Sequence, residues 1–174
     1  MPKPTFDLIG ETLLTSSQAT ITFDNLSSNY TDLHIIGSVV TTTTTKPYLL
    51  FNNSTSAIYN RIHVRHTATA TTYSSTTTGD ATEWFFGSLS NDLSSTTPMV
   101  FEIDINDYTN ASYYKAATSR FFLGKSTVTS GTHELGFSAM SFESNTALTR
   151  LDFKTQSGSF DTNSIISVYG IKKE

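Results

Sequence analysis

The strongest pattern in the chain is the run Met99-Val100-Phe101-Glu102-Ile103-Asp104-Ile105-Asn106-Asp107. Met99, Phe101, Ile103 and Ile105 alternate with Glu102, Asp104 and Asn106. Side chains in a strand change face at every residue, so the run predicts a ribbon with one dry and one wet side. Burying each Phe or Ile on the dry side is worth about 1.5–3 kcal/mol. Glu102 and Asp104 have no comparable gain from burial unless paired, which sets the orientation.

Weaker copies of this pattern recur along the chain. Strands are expected at Glu11–Leu14, Ala19–Phe23, Asp32–Val40, Tyr48–Phe51 and Ala57–His66, then at 113–123, 134–142, 148–154 and 165–171. Asp32–Val40 is apolar on both sides, with Leu33, Ile35 and Val39 on one face and Ile36 and Val40 on the other. It is expected to be central and covered from both directions. In Ala57–His66, Ile58, Asn60, Ile62, Val64 and His66 share a face opposite Tyr59, Arg61, His63 and Arg65. In 134–142, Leu135, Phe137, Ala139 and Ser141 share a face. Residues 1–10, with Pro2 and Pro4, read as an extended N-terminal arm, and 11–174 as a single domain. Thr67–Thr82 is a Thr/Ser/Ala run with little to bury, expected as an exposed loop or edge.

About nine or ten short strands at intervals of roughly 8–12 residues, with no sustained helical stripe, predict an all-β fold. The expected architecture is a two-sheet antiparallel β-sandwich of jelly-roll type. Composition agrees: 31 Thr and 24 Ser supply the polar surface that a chain with only 15% charged residues lacks otherwise. Thr is β-branched and suits a half-exposed pleated surface. A net charge of −4 argues against a partner held by phosphate neutralisation, so no nucleic acid is expected. The sequence contains no Cys, which removes disulfides and thiolate zinc sites. No secretory leader and no apolar run near the ~20 residues of a membrane span is evident, so no membrane partner is expected.

Candidate chemistry is sparse. His63 and His66 are three apart on a strand and fall on opposite faces, so they cannot grip one metal together. Tyr59, Arg61, His63 and Arg65 form a short basic stripe. Its plain interpretation is a solvated face paired across strands with Glu102 or Asp104, and its functional interpretation is a contact patch. Asp104, Asn106 and Asp107 lack the Gly and closing Glu of a calcium loop and read as a turn. No Gly-x-Ser-x-Gly elbow is present. Trp84 beside Phe85 and Phe86 offers a sugar-stacking platform, but core is the default for all three. No catalytic residue, cofactor or metal site is expected.

Both ends of the chain carry a further signal. Ile9–Leu14, then Ile21-Thr22-Phe23-Asp24-Asn25-Leu26 and Tyr30-Thr31-Asp32-Leu33, resemble the opening of a family of tailed-bacteriophage virion proteins. Gly158-Ser159-Phe160 through Ile165–Lys172 is similar to that family's ending, and Leu50-Phe51-Asn52-Asn53 with Tyr59 to its middle. Thr67–Leu89 carries no such resemblance. The resemblance implies a non-enzymatic virion structural protein, made in the cytoplasm of a bacterial host. The expected role is capsid decoration (a cement protein), as a homotrimer bound to the major capsid protein or another virion subunit. Pro2, Lys3, Pro4 and Phe6 of the arm, with Arg61, His63 and Arg65 of the stripe, are the expected assembly contacts. The alternative is a tail-fibre or tail-associated module binding host glycans through Tyr73 and Trp84.

Overall fold

The computed structural model describes residues 6–67, 73–89, 93, 96, 98–124 and 133–172; the side chains of residues 67 and 73–76 lie outside that description. Its strands are β1 (Phe6–Leu13), β2 (Thr20–Phe23), β3 (Asp32–Val39), β4 (Pro47–Phe51), β5 (Tyr59–Thr67), β6 (Tyr73–Ala81), β7 (Met99–Asn106), β8 (Lys115–Leu123), β9 (Glu134–Phe142), β10 (Leu151–Thr155) and β11 (Ile165–Ile171). Eight of them form one sheet in the order β1-β11-β3-β7-β8-β9-β5-β6, and three form a second, β2-β10-β4. All pairings are antiparallel. The fold is an all-β sandwich.

The alternating ribbon is β7, inside the large sheet between β3 and β8. Met99, Phe101, Ile103 and Ile105 are buried as expected. Phe153 of β10 reaches across from the small sheet to Phe101, with ring centroids 6.2 Å apart. Phe51 of β4 packs on Phe142 of β9 at 5.4 Å. These aromatic contacts join the two layers into one core.

Two inward glycines make room for this packing. Gly37 pairs with Phe101 across β3 and β7, and Gly136 with Phe121 across β8 and β9. A Cβ would lie 2.5 Å from the Phe101 ring at the first and 2.3 Å from the Phe121 ring at the second. Each ring therefore lies over the bare backbone of its cross-strand partner.

Two expectations change, and one left open between loop and edge resolves to an edge. The strand expected from Glu11 begins at Phe6, so residues 6–10 are part of the outermost strand of the large sheet, paired with β11, and not an arm. Pro2, Lys3 and Pro4 lie outside the described residues. The Thr-rich run contributes β6, the opposite edge strand, where β-branched residues need only one hydrogen-bonded neighbour. Strand β3 is central, but Ile36 is 40% exposed, because among the described residues no second layer covers the outer face there.

Turns follow the expected chemistry. Asn52 and Asn53 take left-handed conformations after β4 (φ 51° and 53°), which Asn tolerates. Asp107 does the same after β7, its N–H donating to Asp32 Oδ1 at 2.8 Å. Asp104 is engaged by His34 Nδ1 at 2.7 Å.

Candidate functional site

Strand β5 has its polarity turned round. Tyr59, Arg61, His63 and Arg65 share a face as the alternation requires, but that face points into the molecule. Tyr59 and His63 are buried and the two arginines are half-buried, while Ile62 and Val64 are exposed. The basic stripe is therefore corrected from a solvated contact face to part of the interior. Its carboxylate partners are also different from those expected. Arg61 pairs with Glu83 and Arg65 with the buried Glu134, each at 3.6 Å. Glu102 pairs with Arg120 and Asp104 with His34 instead.

The cause lies in what covers this end of the sheet. Beyond β4 the inner layer is formed by the segment Glu83–Phe86, which has no strand ladder to satisfy its carbonyls. A buried carbonyl without a donor is costly, so donors must come from side chains. Arg61 Nη1 donates to Glu83 O at 2.6 Å, Ser138 Oγ to Phe85 O at 3.2 Å, and Ser119 Oγ to Phe86 O at 2.6 Å. The remaining carbonyl, of Trp84, accepts from Leu49 N at 2.8 Å. The inward polar residues of β5, β8 and β9 thus fasten a non-strand segment to the sheet.

Trp84 is held in the same way. It is fully buried, and its indole Nε1–H donates to Ser138 Oγ at 2.8 Å. Its ring centroid lies 6.4 Å from that of Phe51. A side chain so placed has no face for a sugar, so Trp84 is corrected from candidate glycan contact to core. Tyr73 has its backbone in β6, and its side chain lies outside the described residues.

One member of the inward set has no partner. His63 is buried, and among the described residues neither Nδ1 nor Nε2 has a hydrogen-bond partner. Its ring packs against Phe121 at 5.3 Å. Burial pushes its pKa down to about 4, with the positive charges of Arg65 and Arg61 adding to the effect. The imidazole is therefore neutral at physiological pH. It lines a cavity of about 190 Å³ together with Lys46, Arg61, Thr78, Phe85 and Leu89. Arg61 lies over the Phe85 ring with Cζ 4.5 Å from the centroid, and Lys46 Nζ is 6.0 Å from it.

The second feature is the outer face of the large sheet. Ile36, Ile62, Val64, Val100, Phe122, Leu135 and Phe137 are all exposed, from 37% to 60%. The register places them together: Val100, Phe122 and Leu135 form one cross-strand row over β7, β8 and β9. Ile36, Glu102, Arg120, Phe137 and Val64 form the next row, and Ile62 lies in the third. The Glu102–Arg120 ion pair sits within the apolar area. A shallow hollow of about 320 Å³ opens between Ile36, Val100, Phe122 and Leu135. At about 4.8 Å between strands and 3.3 Å per residue, five strands and three rows cover about 19 by 13 Å before side-chain width is added.

Alternation alone did not assign this face, because β3, β5 and β9 carry apolar residues on both sides. The signal was present as apolar residues at both parities of the same strand. Phe6 and Leu8 extend the exposed apolar surface onto β1, with Phe6 edge-on to His34 at 5.9 Å. Phe6 thus remains accessible, as a strand residue.

A larger hollow, about 510 Å³, is lined by Thr44, Thr45, Tyr48, Glu83, Gln156 and Ser157. Its one carboxylate, Glu83, is engaged by Arg61. Among the described residues no three His, Asp or Glu side chains converge as a metal site.

No family model matches the chain, and no curated protein matches it. Two solved structures are similar at a low level. An aerolysin-like protein of Bombina maxima aligns at 10% identity over 96% of this chain and 89% of its own, with a TM-score of 0.15. A candidate pore-forming toxin from Bacteroides vulgatus aligns at 6% identity over 84% of this chain and 59% of its own, with a TM-score of 0.12. Scores at this level carry no argument about fold or function.

Proposed function

We propose that this chain is a non-enzymatic structural protein of a tailed-phage virion, a capsid decoration protein that assembles as a homotrimer through the outer face of its large sheet. The setting comes from the resemblance of the terminal segments. The mode of action is supported by one observation above the others, the contiguous apolar face of Ile36, Ile62, Val64, Val100, Phe122, Leu135 and Phe137.

Contiguous apolar patches on monomers rarely exceed a few hundred Å², and the larger ones mark interaction sites. A standard interface takes about 800 Å² from each partner, with an apolar centre and a polar rim. The five-strand patch has the dimensions of such a centre. Asp104, His34 and Thr118 in the third row supply polar neighbours for a rim. A sheet face of this kind suits rigid seams between copies and between a copy and a shell, and it needs no moving part. The glycan-binding alternative has lost Trp84 to the core and gains no support elsewhere.

Sedimentation of the purified protein tests the reading. The wild type is expected to sediment as a trimer, and Phe122→Glu with Leu135→Glu as a folded monomer. A wild-type monomer, or a double variant with unchanged assembly, would contradict it.

A further inference from the structure

We propose that the cavity lined by His63, Arg61, Lys46, Thr78, Phe85 and Leu89 is a binding site for a small monocarboxylate. The inference is independent of the virion reading, since it concerns the inner side of β5 and not the outer sheet face.

Four observations converge on it. First, His63 is 3% exposed, and among the described residues both its ring nitrogens lack a hydrogen-bond partner. Leaving a buried polar atom unmade costs about 1–3 kcal/mol, and the N–H of the neutral ring is a donor that a bound acceptor would satisfy. Second, the space is of ligand size. A volume of about 190 Å³ corresponds to roughly six waters at ~30 Å³ each.

Third, the charge balance is that of a monoanion. Arg61 is already countered by Glu83 at 3.6 Å, and Arg65 by Glu134 at 3.6 Å. Lys46 has no ion-pair partner among the described residues, its ring contact with Phe85 aside. Among the described residues one positive charge is therefore left over in the cavity wall. Fourth, Phe85 and Leu89 give the cavity an apolar side. A carboxylate accepts from an ammonium and from an imidazole N–H, and its hydrocarbon part suits the apolar wall. A phosphate dianion would bring twice the charge that Lys46 balances and no apolar part.

The experiment uses the whole protein with propionate as probe. Propionamide is its neutral isostere and inorganic phosphate the competing oxyanion. The His63 ring nitrogens are followed by NMR, and affinity by calorimetry. Propionate is expected to shift the His63 signals saturably, with propionamide at least about tenfold weaker because it lacks the charge. Lys46→Gln, at a half-exposed position, is expected to weaken propionate about tenfold, leave propionamide unchanged and keep the Trp84 fluorescence of the wild type. Lys46→Arg should restore binding. The proposal is overturned by an unsaturable response, by equal affinity for propionamide, by phosphate binding more tightly than propionate, or by an unaffected Lys46→Gln. It is equally overturned by a high-resolution structure grown with propionate that shows only ordered water on His63.

Discussion

His63 makes the stability of this protein depend on pH in a way that can be calculated. In the unfolded chain a histidine titrates near ~6.5. In the fold, burial and the charges of Arg65 and Arg61 bring His63 down to about 4. Between these values the unfolded chain carries a proton at this position and the folded chain does not. Protonation therefore favours unfolding, so stability present at neutral pH is lost as the pH falls through ~6.5. The slope is about 1.4 kcal/mol per pH unit and it levels off below about pH 4, giving a total near ~3 kcal/mol. That is a large share of the ~5–15 kcal/mol typical of a domain.

Other ionisable groups of the chain contribute to the pH dependence as well. A difference measurement removes them. Urea unfolding of wild type and His63→Phe is followed from pH 7.5 to 4.5 by the fluorescence of Trp84, the only tryptophan and fully buried. The buffers are free of carboxylates and phosphate, so that no anion fills the cavity. The wild-type stability minus that of the variant should fall by about 1.4 kcal/mol per unit below pH 6.5. Imperfect packing of the new ring adds an offset and leaves the slope untouched. Two parallel curves would refute the reasoning, because they would mean that His63 takes up its proton equally well in both states.

Two further substitutions test the packing. Gly136→Ala places a Cβ 2.3 Å from the Phe121 ring and 3.0 Å from Val64 O; it should cost about 1–3 kcal/mol in urea midpoint measurements, with Gly136→Ala/Phe121→Leu recovering part of the loss. An unchanged midpoint would place Phe121 elsewhere. Phe101→Asp removes the ring packed on Phe86 at 4.8 Å and buries a charge, on top of the ~3–5 kcal/mol of a Phe→Ala cavity. It should yield no soluble folded protein, and a cooperative, soluble variant would show that β7 faces the other way.

What the sequence revealed depended on how one-sided each strand is. In β7 the polar residues sit at alternate positions, so its inward face follows from the cost of burying Glu102 and Asp104. In β5 and β9 both faces hold apolar side chains, and the outcome was decided by distant partners. Ser138 and Ser119 face inward because Phe85 O and Phe86 O need donors, across separations of 53 and 33 residues that leave no local trace. The basic stripe was visible as a shared face, but its direction was not. Lys46, Phe85 and Leu89 join it only through the chain's return past β4. For β6 the sequence left loop and edge open, because a Thr-rich edge needs little burial and its single hydrogen-bonded neighbour is β5. For Trp84 the default reading of an adjacent aromatic cluster as core holds, and the platform alternative does not.

The proposed role rests on the outer sheet face being a seam, and a density map of the assembled particle tests this most directly. The account predicts β3, β7, β8, β9 and β5 packed against protein, with Phe122, Leu135 and Phe137 out of contact with solvent. A particle in which this face lies open to water, or in which the sandwich is absent altogether, would contradict it.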